Sequence, residues 1–225
     1  MRRFWTDVAL DRGVILLDGR PVRTPARRPL VLPTPALAAA VADEWRAVVT
    51  EIDPRAMPLT GLANAAIDRI ADDPDTFVAA LARYAGSDLL CYRAQDPLEL
   101  VARQAAAWDP LLDWARTRYD VGFAVTTGIV PVVQPAATVE RLRTVLASLD
   151  PFRLAALHPI VTIAGSLVIG LALLDGAVPA NEAFASARLD ELWQAERWGE
   201  DALAAAERAA CRRDWDAATT LLALL

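Results

Sequence analysis

Short apolar stretches alternate with turn sequences over the first 34 residues of the chain. Asp11-Arg12-Gly13 and Asp18-Gly19 separate these stretches, and Asp-Gly favours the positive backbone angles of a tight hairpin. Pro21 would confine the returning strand to a sheet edge, because proline cannot donate a ladder hydrogen bond. The segment 29–32 predicts one further short strand. This region is therefore predicted to be β-rich.

A helical period replaces this pattern at Thr34. The Thr34 hydroxyl is a typical N-cap, and Pro35 follows at a position where its missing N–H costs nothing. Leu37, Val41 and Trp45 then recur every four residues, which places them on one face of a helix. A helix is predicted from this point to about residue 49.

Beyond residue 58 the periodicity is almost wholly helical. One exception is the segment 121–133, which is uncharged and β-branched and predicts either a small hairpin or a buried extended excursion. The predicted fold is α+β: a small N-terminal β-rich domain over 1–58, with hairpins and one helix, packed on a larger orthogonal helical bundle over 59–225. The predicted helices of the bundle are 61–72, 75–86, 97–119, 136–148, 159–174, 180–210 and 214–224.

An uncharged run over 154–174 is long enough to span a bilayer. His158-Pro159 is expected to break the run near its start, and no basic cluster or aromatic belt marks its far end. We therefore expect a buried core helix and a soluble protein without stable membrane insertion. A peripheral membrane protein anchored by this segment is the alternative.

Composition and charge narrow the class of partner. Of the 225 residues, 55% are hydrophobic, so the chain can bury a core and is not a disordered solubiliser. Twenty-three basic against 29 acidic side chains give a net charge of −6, which argues against nucleic acid and anionic lipid as partners. Cys91 and Cys211 lie in no metal or redox spacing, so a reducing compartment is expected.

The chain lacks residues that several catalytic mechanisms require. His158 is the single histidine and the chain has no lysine, which removes the serine triad, the two-histidine zinc site, the P-loop and Schiff-base mechanisms. Carboxylates four apart, such as Asp109 with Asp113 and Glu196 with Glu200, leave a carboxylate- or metal-dependent hydrolase or transferase as the alternative function. Such pairs are mostly solvated or paired with arginine. No catalytic residue, cofactor or metal is predicted.

Tryptophan is abundant, with seven residues in the chain. Core packing accounts for Trp45 and Trp108, but tryptophan is also enriched at the energetic centres of protein interfaces. Trp193 and Trp198 lie five positions apart on one predicted helix, so one is expected to face the bundle and the other a partner or neighbouring subdomain.

Motifs distributed over nearly the whole chain together resemble one family: the assembly chaperones that escort the alpha subunit of the catalytic head of ATP synthase, in mitochondria and related bacteria. None is decisive alone, but their order and spacing match. They are Phe4-Trp5, Leu17-Asp18-Gly19-Arg20-Pro21-Val22-Arg23-Thr24-Pro25, Leu30-x-Leu32-Pro33-Thr34, Ala42-x-Glu44-Trp45, Met57-Pro58-Leu59-Thr60, Ser87-Asp88-Leu89-Leu90-Cys91-Tyr92-Arg93-Ala94, Gln104-x-x-x-Trp108-Asp109-Pro110-Leu111-Leu112, Ser166-Leu167-Val168-Ile169-Gly170-Leu171-Ala172 and Gln194-x-Glu196-x-Trp198-Gly199-x-Asp201.

This resemblance implies a chaperone without an active site or a nucleotide, which binds the unassembled alpha subunit and promotes its assembly with beta. It would cover apolar surface that otherwise aggregates. A monomer when free, in the cytoplasm of a bacterium, is expected. The resemblance also implies client-binding residues in the late motif: Gln194, Glu196, Trp198, Gly199 and Asp201.

Glu196 has two interpretations. On one helix over 180–210 it would fall inside an apolar stripe of Leu189, Leu192, Trp193 and Leu203. An unpaired buried charge costs several kcal/mol. Either an arginine of the bundle pairs with Glu196, or the carboxylate lies at the edge of a client-binding groove and is paired by the alpha subunit.

Overall fold

The computed structural model describes residues 1–128 and 130–225, and its element order confirms the α+β class. Strands come first, and helices make up most of the chain after residue 34. The strands are β1 (Val8–Asp11), β2 (Val14–Leu17), β3 (Arg20–Pro21), β4 (Tyr92–Arg93) and β5 (Thr126–Thr127). The helices are α1 (Pro35–Ala47), α2 (Pro58–Ala65), α3 (Pro74–Ala82), α4 (Leu98–Tyr119), α5 (Ala136–Ala147), α6 (Pro151–Ala164), α7 (Leu167–Leu174), α8 (Ala180–Ala187), α9 (Leu189–Trp198) and α10 (Ala202–Ala223).

The chain divides into two compact units that are not continuous in sequence. The first unit contains residues 1–74, 150–156 and 217–225, and the second contains 75–149 and 157–216. The predicted domains, 1–58 and 59–225, stay a prediction.

The first unit contains the predicted hairpins. β1 and β2 pair antiparallel around a two-residue turn in which Arg12 and Gly13 both have positive φ, 47° and 82°. Glycine is required at position 13, because a Cβ there would lie 2.6 Å from the Leu32 carbonyl oxygen. Pro21 lies on the edge strand β3, as predicted. The predicted strand over 29–32 is wrong: this segment makes isolated bridges only.

Helix α1 begins as its sequence predicts and covers the core of the first unit. The Thr34 hydroxyl accepts a hydrogen bond from the Leu37 N–H at 3.1 Å, and Pro35 occupies the first turn. Because Leu37 and Val41 share one face, both are fully buried with side chains of the sheet. The buried neighbours include Trp5, Ile15, Leu17, Leu30 and Leu32.

The uncharged run over 154–174 forms parts of two helices, so the predicted single helix is wrong. Helix α6 begins at Pro151, where the Asp150 carboxylate caps its first turn, and it continues through Pro159. The break lies instead at Gly165, whose φ is +64°, and at Ser166, which caps α7. Within the described residues no helix combines the length and apolar character needed to cross a membrane.

The predicted helices 180–210 and 214–224 are also wrong in their boundaries. Residues 180–198 form two helices, α8 and α9, which meet at Arg188. Gly199 ends α9 with φ +88°, and the Asp201 carboxylate then accepts hydrogen bonds from the Leu203 and Ala204 N–H groups, both at 2.9 Å. These caps start α10, which runs unbroken to Ala223.

The described residues of the segment 121–133 form no hairpin, and most of them are not buried. Its strand β5 pairs in parallel with β4, and Val125, Val130 and Val133 are exposed. Residue 129 of this segment lies outside the described residues. The uncharged sequence predicts burial, but among the described residues of this segment only Val121 is buried.

Candidate functional site

Four charged side chains join helices α4 and α9 in the second unit. Arg103 donates to the Glu196 carboxylate at 2.6 Å and to Glu99, one turn earlier on α4, at 3.0 Å. Arg197 contacts the other oxygen of Glu99. The hydrogen bond that Arg103 donates to Glu196 raises the pKa of the Arg103 guanidinium above its ordinary value. Acidic and basic groups therefore alternate along one rim of the contact between the two helices.

A buried amide aligns the beginning of α9 with α4. Gln104 is 1% exposed, and its Nε2 donates to the Asp190 carboxylate at 2.7 Å. Its Oε1 accepts a hydrogen bond from the Ala94 N–H, also at 2.7 Å. Since the amide is satisfied at both ends, it fixes the register of the helices.

An apolar groove of about 420 Å³ lies beside this rim, and we call it the α4–α9 groove. Its lining includes three alanines, whose small side chains leave the space, together with Leu189 and Leu192. Arg103, Ser186 and Glu196 supply polar atoms at the edge. The lining residues are Arg103, Ala106, Ala107, Ala185, Ser186, Leu189, Leu192, Trp193 and Glu196.

Two tryptophans differ sharply in exposure at the end of the groove. Trp193 is 6% exposed, and its indole N–H is buried with no hydrogen-bond partner among the described residues. Trp198 is 74% exposed, and the two rings pack edge to face with centroids 5.5 Å apart. Arg197 lies 5.4 Å from the Trp193 ring centroid. A large exposed aromatic beside an apolar groove is typical of protein-binding surfaces.

Glu196 has the arginine partner that one interpretation required, but its predicted burial is wrong. The side chain is 57% exposed, so a charge there carries little desolvation cost. The predicted stripe does not exist, because α9 ends before Leu203, which is 82% exposed in α10. Trp193 and Trp198 point to different environments as predicted, although their rings remain in contact.

The other residues of the late motif are dispersed around the end of α9. Gln194 is exposed and does not line the groove. Gly199 ends the helix and Asp201 caps the next one, which are structural roles. Sequence reasoning missed Arg103, Ala106, Ala107, Ala185 and Ser186. The spacing of Glu99 and Arg103 and the alanine run at 105–107 mark this face of α4.

The carboxylates considered for catalysis are paired with arginines. Asp109 binds Arg93 at 2.7 Å and Asp113 binds Arg116 at 2.8 Å, while Glu200 contacts Arg208. Among the residues that the structure describes, no three histidine, cysteine or acidic side chains are grouped so that they could hold a metal ion.

An apolar groove with a charged rim and an exposed tryptophan has the composition of a surface that binds another protein, and three comparisons identify the class as an assembly chaperone. The family model described as ATP12 chaperone protein matches residues 2–116. Protein atp12, mitochondrial, of Schizosaccharomyces pombe is 30% identical over 214 residues, covering 88% of this chain and 74% of that protein. The chain belongs to the ATP12 chaperone family, which serves ATP synthase assembly.

Solved structures agree with this assignment. The crystal structure of Atp12 from Paracoccus denitrificans matches with a TM-score of 0.94 and 48% identity, over 99% of this chain and 97% of that one. The Atu1473 protein of Agrobacterium tumefaciens matches with a TM-score of 0.93 and 42% identity, over 99% and 85% of the two chains.

Proposed function

We propose that this chaperone binds the free alpha subunit of the ATP synthase catalytic head and holds it until the beta subunit replaces it. The α4–α9 groove would receive apolar surface that alpha later gives to beta. The observation that carries this proposal is the contact between the exposed Trp198 ring and the ring of Trp193. Trp193 lines the groove, and its buried indole N–H has no hydrogen-bond partner among the described residues.

Each part of the groove has a separate role in this proposal. The alanines of the lining allow close approach of the client, and Trp198 contributes contact area. A client carbonyl oxygen that reached the Trp193 N–H would satisfy a donor that is costly to leave unpaired. Glu196 and Arg103 would exchange their mutual contact for groups of the client, which fixes its orientation.

The proposed action needs no catalysis and no cofactor, because affinity for an exposed apolar surface is sufficient to prevent aggregation. The proposed compartment is the cytoplasm, where the alpha subunit is still unassembled, and the free chaperone is proposed to be a monomer. Cell fractionation and sedimentation of the purified chain test these two statements.

Capture by the immobilised chaperone tests the client. We expect retention of purified alpha subunit and no retention of the assembled catalytic head, because assembly covers the client surface. Equal retention of both would contradict the proposal.

Two pairs of variants then test the groove. Trp198→Ala is expected to weaken alpha binding about tenfold or more, as loss of an interface tryptophan does, whereas Phe4→Ala removes another exposed ring, 65% exposed in the first unit, without effect. Glu196→Gln is expected to weaken binding and the rescue of ATP synthase assembly. Glu140→Gln, which removes the carboxylate of an exposed pair with Arg143, should leave both unchanged. If Trp198→Ala and Glu196→Gln both bind alpha and rescue assembly as the wild type does, the groove is not the client-binding site.

A further inference from the structure

Side chains and strand β4 hold one edge of the segment 122–128 by hydrogen bonds. Gly122 exchanges hydrogen bonds with the Thr138 hydroxyl, at 2.7 Å through its carbonyl and 3.3 Å through its N–H. Ala124 is held by both ends of the Gln134 amide, each at 2.9 Å. We call this side of the segment its inner edge. At Gly122 and Ala124, where no strand lies beside the inner edge, side chains satisfy its backbone groups.

Strand β4 occupies the rest of that edge. The parallel register pairs Tyr92 with Thr126 and Arg93 with Thr127, and the Gly128 N–H donates to the Arg93 carbonyl at 2.9 Å. Alternate residues of an extended segment direct their backbone groups to the same side. Residues 122, 124, 126 and 128 therefore all use the inner edge.

The opposite edge is open. The backbone groups of Val125 and Thr127 point away from β4, and they have no hydrogen-bond partner among the described residues. Both residues are exposed, with Val125 at 50%, so the edge is accessible. An accessible strand edge is a template for pairing with another chain.

Nothing in the sequence protects this edge from pairing. Natural proteins place charged residues or a proline within an exposed edge to prevent association, but residues 121–135 carry no charge and their prolines come only after the open positions. Val130 and Val133, 67% and 91% exposed, extend the apolar surface beyond it.

We propose that residues 123–127 receive an extended, uncharged segment of the client as an added strand. The partner must be extended, because a helix already uses its backbone groups internally and could not pair with N–H and C=O groups two residues apart. It must lack charge, because charged side chains beside this uncharged edge would lose water without gaining a counter-ion. That the partner chain is the alpha subunit rests on the proposed function.

A proline substitution tests the edge without disturbing its inner side. Thr127→Pro removes only an outward N–H, which an edge strand tolerates, and Thr127→Val keeps that N–H and the branched shape. We expect Thr127→Pro to weaken alpha binding about tenfold, equivalent to one lost hydrogen bond of about 1.4 kcal/mol, with an unchanged melting temperature. Thr127→Val should bind as the wild type does. Wild-type affinity of a folded Thr127→Pro variant would overturn the proposal.

Amide hydrogen exchange of the wild type provides a second measurement that needs no variant. In the free chain, the amides of Ala124 and Thr126 should exchange slowly and those of Val125 and Thr127 rapidly. Addition of purified alpha subunit should slow the latter two. Slow exchange of the Val125 and Thr127 amides in the free chain, or their rapid exchange in the complex, would overturn the proposal even if Thr127→Pro fails to fold.

The failures of the two proposals are distinguishable. If the wild type does not capture the alpha subunit, the client assignment is wrong for both surfaces. If it does, but the Val125 and Thr127 amides stay unprotected, only the strand addition is wrong and the groove stands. Self-association of the free chain that Thr127→Pro abolishes would show that the edge pairs with a second copy, against the proposal.

Discussion

Asp88 and Glu196 are both carboxylates of the second unit, but their surroundings are opposite. Asp88 is fully buried, whereas the Glu196 side chain is 57% exposed. Asp88 accepts hydrogen bonds from the N–H groups of Leu90 and Val168, at 3.1 and 3.0 Å, and from Ser166. Glu196 binds the exposed guanidinium of Arg103.

This difference separates stability from binding. Around Asp88, removal of the acceptor would leave several buried donors unpaired at the beginning of α7, and each such donor is costly. Around Glu196, water can replace either partner at little cost. A carboxylate that contributes little to folding is free to exchange its partner for a client, which a capping carboxylate in the core cannot do.

The substitution Asp88→Ala should have the largest effect on folding. We expect the free energy of unfolding to fall by about 3–5 kcal/mol and the melting temperature by about 10 °C, because buried donors lose their acceptor. Calorimetry of the purified variant measures both. The control is Asp113→Ala, since this exposed carboxylate pairs only with Arg116. If Asp88→Ala and Asp113→Ala both have the melting temperature of the wild type, the buried carboxylate contributes no more to stability than the exposed one, against this prediction.

Gly170 provides a second test of tight packing around α7. A Cβ at this position would lie 2.6 Å from Cγ2 of Val161, a stiff and fully buried side chain of α6. We therefore expect Gly170→Ala to destabilise the protein by about 1–3 kcal/mol in urea unfolding. In contrast, a Cβ at position 61 on α2 would meet no atom within 4 Å. Gly61→Ala should therefore stabilise the protein by up to about 1 kcal/mol. A neutral or stabilising Gly170→Ala would mean that the two helices can separate.

The pH dependence of stability should follow Asp88. Burial raises the pKa of Asp88 to about 6, although the hydrogen bonds from Ser166 and the backbone act against this rise. Because the folded chain then binds this proton more tightly than the unfolded chain, the free energy of unfolding should increase by about 1.5 kcal/mol between pH 7.5 and pH 5.

Other carboxylates act in a different pH range. Ion pairs lower the pKa values of Asp72 and Glu140, so their contributions are lost only in stronger acid. Denaturant unfolding at intervals between pH 7.5 and 5 measures the expected rise. A fall in stability across this range would show that Asp88 is ionised throughout it.

The smallest effect on folding is expected for Glu196→Gln. Its melting temperature should lie within about 2 °C of the wild type, because exposed ion pairs contribute little and are screened by salt. Thermal melts at low and high salt measure this. A large loss of stability would instead assign Glu196 a structural role and remove the reason for regarding it as free to bind a client.

Local sequence was sufficient wherever an element depends on residues a few positions apart. The Arg12-Gly13 turn, the Thr34 cap and the boundaries of α4 and α5 were predicted nearly to the residue. Each of these features uses turn or capping chemistry that is complete within one helical turn or one hairpin. The family was likewise evident from motifs along the chain.

Helix breaks were less predictable, because a proline or glycine can lie either inside a helix or at its end. Pro159 was expected to interrupt a helix but lies inside α6, while Gly165 and Ser166 make the break. Burial decides between these sites: Ser166 is fully buried and contacts Asp88. That contact joins residues far apart in the chain, so local sequence does not show it.

The order of residues along the chain is sufficient to predict the fold class, the N-terminal hairpins, the family and the motif that contains Glu196 and Trp198. Packing between distant parts of the chain brings Glu196 to Arg103, 93 positions away, and places alanines of α4 and α8 in the lining of the α4–α9 groove. The same packing leaves an open strand edge on the uncharged segment 121–133. The physical reason is that turns and caps depend on neighbouring residues, whereas grooves and free edges depend on which distant elements pack together and which face they leave uncovered.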